Sequence, residues 1–205
     1  DAAMTSGPGF ERRAMTIALA VVAGVTLLRL IAIFLTPLQL YPDEAQYWLW
    51  SRHLAWGYAS KPPLIAWLIW ATTAIGGDGE AFVRLAGPFM HAIAALALFG
   101  AGRRLYGAAA GLLACVLWTL MPAVQVSSLF IATDAPLMAC LCLALWAYAA
   151  MLTGGGRTAA LGLGAALGFA FLAKYAAIFF LGGLALHALV DREARTPAEN
   201  EVRIR

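Results

Sequence analysis

Long apolar runs separated by short polar breaks organise this chain. Residues 14–35, 85–102, 107–126 and 135–152 each approach the length of about 20 apolar residues that a bilayer-crossing helix needs. The run 159–190 carries one charged residue, Lys174. As a single helix it would be about 48 Å long, too much for a hydrocarbon core of about 30 Å. It therefore predicts two short spans that turn near Lys174. Residues 64–75 are apolar but too short to cross, which predicts an interfacial or re-entrant helix. The pattern predicts an all-α, polytopic integral membrane protein. Six transmembrane helices are expected, with short interfacial helices in the loop after the first.

Composition agrees with that pattern. Hydrophobic residues make up 62 % of the 205, charged residues 12 %, and mean hydropathy is +0.79, which excludes a soluble globular domain. With six spans, Arg12, Arg13, Arg103, Arg104, Arg157, Arg192 and Arg195 all fall on one face. Positive residues mark the cytoplasmic side, so both termini are expected there. Residues 1–13 form a cytoplasmic segment, 14–190 the membrane domain with a periplasmic loop at 38–80, and 191–205 a polar cytoplasmic tail. The formal charge of +3 reflects this topological bias and gives no footprint for nucleic acid. Cys115, Cys140 and Cys142 lie inside spans, as reduced packing residues.

Charge near a span needs a reason. Under this topology Asp43, Glu44, Lys61, Asp134 and Lys174 share one membrane level on the outer face, although three separate regions of the chain supply them. Opposite charges at the edge of a low-dielectric layer suit phosphate binding and activation of a hydroxyl. Pro42 precedes a helix expected over 44–56, whose Tyr47, Trp48, Trp50 and Trp56 suit the headgroup level as an aromatic belt. Pro62 and Pro63 suit the start of the next short helix and would hold Lys61 beside the loop. Arg29 and His91, deep in spans, read as polar contacts within the bundle, and a channel or transporter path along them has less support.

The ordered set "DEAQYW", "GYASKPPLIAW", "GDGEAFVRL", "TDAPL" and "FLAKY" resembles bacterial relatives of the protein O-mannosyltransferases and the lipid A aminoarabinose transferase. These are membrane glycosyltransferases of the GT-C class. They draw sugars from polyprenyl-phosphate carriers at the periplasmic or lumenal face, which places this chain in the bacterial inner membrane. The resemblance implies that Asp43 is the general base on the acceptor and that Glu44 completes a catalytic acidic pair. It implies that Asp134 is a second acid of the site, and that Lys61 and Lys174 bind the donor phosphate. Asp43 and Asp134 are the ligands it offers to a divalent cation, the one cofactor it admits. Ser60 stands where the aminoarabinose enzyme has an acid, which favours a neutral donor sugar. The family continues with further spans, so a second reading stays open: a shortened, non-catalytic relative packed on partner subunits of a larger membrane complex, such as an energy-converting assembly. Small-residue-rich spans would suit that packing.

Overall fold

The computed structural model describes residues 7–190, all of whose regular elements are helical. In chain order they are α1 (Pro8–Leu35), α2 (Pro42–Ser51), α3 (Leu64–Gly76), α4 (Glu80–Arg84), α5 (Ala86–Tyr106), α6 (Ala108–Leu120), α7 (Pro122–Ser127), α8 (Asp134–Leu152), α9 (Gly156–Ala173) and α10 (Ile178–Val190), with a 3₁₀ turn at Tyr175–Ala177 before the last. The tail expected at 191–205 lies outside the described residues.

Four segments are long and apolar enough to cross a membrane: Pro8–Leu35, Glu80–Tyr106, Asp134–Leu152 and Gly156–Ala173. The expected third and sixth spans are shorter. The run 107–126 divides at Met121 into α6 and α7, because Pro122 cannot continue the α6 hydrogen-bond ladder. At 13 residues α6 is about 20 Å long, short of the core thickness. The run 159–190 breaks at Lys174, whose backbone is extended, and α10 has 13 residues. The molecule is thus a polytopic, all-helical membrane protein with four full-length segments among the described residues.

Packing follows small residues. On α1 one face (Ala14, Ala18, Val22, Thr26, Arg29, Ile33) is buried, while Leu27, Leu28 and Leu35 on the opposite side are exposed, as a lipid-facing surface requires. Between α5 and α6 the backbones nearly touch. A Cβ on Gly111 would come within 2.6 Å of the Phe99 carbonyl, and one on Gly102 within 2.9 Å of the Gly111 Cα. Close approach through small residues is the usual means of joining helices in lipid. Arg29 and His91 find partners inside this bundle. The Arg29 guanidinium donates to Gln125 Oε1 (3.1 Å) and to the Thr119 carbonyl (2.8 Å), and His91 Nε2 lies 3.1 Å from Ser127 Oγ.

The bundle has two chemically distinct ends. Arg104 donates to Thr153 in the α8–α9 turn, and Phe10 and Met15 of α1 pack against a cluster that contains Phe99 and Ala108. Arg12, Arg13, Arg103, Arg104 and Arg157 therefore gather at one end. The start of α8, the end of α9 and the loops around α2 and α3 make up the other.

Candidate active site

The loop end is built around one buried ion pair. Pro42 opens α2 at its first helical position, where its missing N–H costs no hydrogen bond. Two residues on, Glu44 reaches back to accept the Tyr41 amide (3.0 Å), as a third-position glutamate does in a capping box. Helical spacing then buries Glu44, Tyr47 and Ser51 on one face and leaves Asp43 exposed. The helix ends at Ser51, short of the expected 56. Ser51 Oγ donates to the Trp48 carbonyl (2.6 Å), and the Tyr58 hydroxyl sits 3.0 Å from the Trp50 carbonyl with its ring stacked on Trp50.

Glu44 is only 2 % exposed and meets the fully buried Arg84 in a fork, Nε to Oε1 at 2.9 Å and Nη2 to Oε2 at 2.8 Å. Arg84 also donates to the Leu38 and Gln39 carbonyls, both at 2.9 Å. Glu44 Oε1 accepts the Ile131 amide (2.9 Å) as well. One carboxylate and one guanidinium so tie together the segment before α2, α2 itself, α4 and the loop that leads to Asp134. Both Glu44 oxygens are occupied by partners that hold the loop. The sequence motif "GDGEAFVRL" contained Arg84 but gave no sign that it was the partner of Glu44.

The remaining charges converge on the same end. Asp134 opens α8 and is exposed, and Lys174 Nζ lies 2.7 Å from its Oδ1. That ion pair joins the start of α8 to the break after α9, where the Lys174 backbone is extended. Tyr47 is 3 % exposed; burial first, then the negative charges of Asp43 and Asp134, push its phenol above the ordinary tyrosine range. Tyr47 had been assigned to an aromatic belt. The signal in the sequence was its position four residues after Asp43, which puts both on neighbouring turns of one helix.

Lys61 belongs to the same end by connectivity and packing. Leu64, one turn later, packs in a cluster with Leu137 and Ala173, which follow Asp134 and precede Lys174. Ile65 packs with Tyr47 and Ile131. Pro62 and Pro63 are buried, and the Lys61 carbonyl accepts the Tyr58 amide (3.0 Å), so the turn that carries Lys61 is fixed against α2. Asp78 anchors the far side of the loop through Arg52 (2.6 Å) and the Trp48 indole (3.2 Å).

A divalent cation fits these residues poorly. Lys174 already supplies Asp134 with a positive partner, and among the described residues no group of three or more His, Cys, Asp or Glu side chains gathers as a metal site.

Asp43, Asp134, Lys61 and Lys174 thus lie at one end of a membrane bundle. The family profile described as dolichyl-phosphate-mannose-protein mannosyltransferase matches residues 60–202. The chain belongs to this family. Lys61, Arg84, Asp134 and Lys174 lie within the matched segment of this mannosyltransferase-family chain, and Asp43 and Glu44 precede it. The chain is also 38 % identical over 178 residues to the lipid A galacturonosyltransferase RgtD of Rhizobium johnstonii, a match that covers 86 % of this chain and 38 % of that relative. It therefore spans well under half the length of that curated relative. No solved structure matches.

Proposed function

We propose that this chain carries the acceptor-activating and phosphate-binding residues of a membrane glycosyltransferase. The enzyme moves a sugar from a polyprenyl-phosphate carrier to a hydroxyl of a lipid A-type glycolipid. The observation that supports this most strongly is the Lys174–Asp134 ion pair at the end of the bundle that also carries exposed Asp43 and the fixed turn of Lys61. The name of the galacturonosyltransferase relative favours a uronic acid as the donor sugar in place of the neutral sugar expected from Ser60.

In this reading the acceptor oxygen attacks the anomeric carbon while exposed Asp43 takes its proton. The bond between the anomeric carbon and the phosphate oxygen breaks, and its electron pair leaves with the polyprenyl phosphate. Lys61, on its fixed turn, meets the charge that develops there. Asp134 and Lys174 set the field around Tyr47. Glu44 and Arg84 hold the loop and transfer no proton. No step is routed through a metal. The loop end faces the periplasm, and the carrier tail stays in lipid.

The test is transfer to lipid A from radiolabelled polyprenyl-phosphate sugars by purified protein, with galacturonic acid and a neutral hexose compared as donors. The expected result is transfer of the uronic acid, with Lys61→Ala lowering kcat more than it raises the KM for the donor, because its interaction grows as charge develops on the leaving phosphate. Absence of transfer from every donor, with stoichiometric co-purification on another membrane complex, would favour the non-catalytic subunit instead.

A further inference from the structure

A second feature lies away from these acids. A cavity of about 690 Å³ runs along the α8–α9 seam, with α5 as its side wall and the start of α3 closing one end. Its floor is made of small residues, among them Ala147 and Gly162, and its length follows α8 from Ala139 to Ala150. That is about 16 Å of helix, roughly half of a 30 Å hydrocarbon core. The Trp146 indole forms part of the wall and fits there because Gly100 has no side chain to meet it; a Cβ would lie 2.5 Å from the ring.

The lining is apolar except at one end, where Arg104 is its single charged residue. Arg104 is exposed, and only its contact to Thr153 Oγ1 (3.3 Å) is made within the described residues. A guanidinium has five N–H donors, so most of its donors remain for a ligand. Arg103 and Arg157 lie at the same end of the bundle. An occupant that suits this lining has an apolar part about one leaflet long and a negative head beside Arg104.

We propose that this groove binds an anionic glycerophospholipid, with one acyl chain along α8 and α9 and the phosphate on Arg104. A polyprenyl-phosphate donor with its phosphate at Lys61 would enter from the α3 end and bring no anion to Arg104. The inference does not depend on the transferase reading.

The experiment is native mass spectrometry of the purified protein with added phosphatidylglycerol or phosphatidylcholine of identical acyl chains. Phosphatidylglycerol should bind the more tightly, and Arg104→Gln should weaken it about fivefold, the effect of one basic residue at an anionic head. Phosphatidylcholine binding should change little in that variant. Gly162→Leu fills the floor, where a new Cβ makes only an ordinary 3.7 Å contact with Ala147, and should weaken both lipids. Ala166→Leu fills the same groove if the first variant does not elute as a monodisperse species. Equal binding of the two lipids, or no effect of Arg104→Gln, would overturn the proposal. So would phosphatidylglycerol binding that survives both filling variants. Polyprenyl phosphate displaced by Gly162→Leu but indifferent to Arg104→Gln would assign the groove to a carrier tail instead.

Discussion

Asp43 and Glu44 are neighbours in sequence, yet the helix gives them opposite fates, one exposed and one 2 % exposed against Arg84. That division carries a stability prediction. Glu44→Gln leaves the Arg84 charge buried without its counter-ion, which costs about 3–5 kcal/mol. Thermal unfolding in detergent should show the loss, and Arg84→Met should show a comparable one, because it leaves the Glu44 carboxylate buried and the Leu38 and Gln39 carbonyls unpaired. A Glu44→Gln protein as stable as the wild type would contradict the assignment. The acids and lysines were legible as a group because charge is rare in so apolar a chain. Which acid was structural was not legible, since the fork to Arg84 joins residues 40 positions apart. Tyr47 was hidden for a related reason: an aromatic at a membrane boundary has an ordinary explanation, and only its burial among Ile65, Val83 and Ile131 sets it apart.

Hydropathy and the length limit located the apolar segments and the break near Lys174, which carries no Gly or Pro and falls at the one charged residue in its run. The break at Met121–Pro122 was visible as a proline but was read through as part of a span. Its consequence is an α6 too short to cross by itself. What fixes α6 against α5 is backbone proximity at Gly111, which leads to a second prediction. Gly111→Ala forces a methyl toward the Phe99 carbonyl and should cost about 1–3 kcal/mol as overpacking. Gly164→Ala, in open space on α9, should leave the thermal midpoint nearly unchanged. Equal behaviour of the two variants in a melting experiment would show that α5 and α6 are less closely joined than described.

At the scale of the molecule, one end carries Arg12, Arg13, Arg103, Arg104 and Arg157, and the loop end carries Arg52, Lys61, Arg84 and Lys174, three of them in ion pairs with acids. The positive-inside rule then predicts that the loop end is outside. In intact cells an impermeant thiol reagent should label a cysteine placed at exposed Gly79 and spare one placed at exposed Arg157; the reverse pattern would invert the orientation. The central claim is that Asp43 at this outer end is the base that activates the acceptor. Its most direct test is the rate of sugar transfer by purified Asp43→Asn protein from a radiolabelled polyprenyl-phosphate donor, with the wild type assayed in parallel. The substitution keeps the shape of the side chain and removes its basicity, and loss of a general base typically lowers the rate by about 10² to 10⁴. The account predicts a fall of that size with an unchanged thermal midpoint, and transfer by Asp43→Asn at the wild-type rate would contradict it.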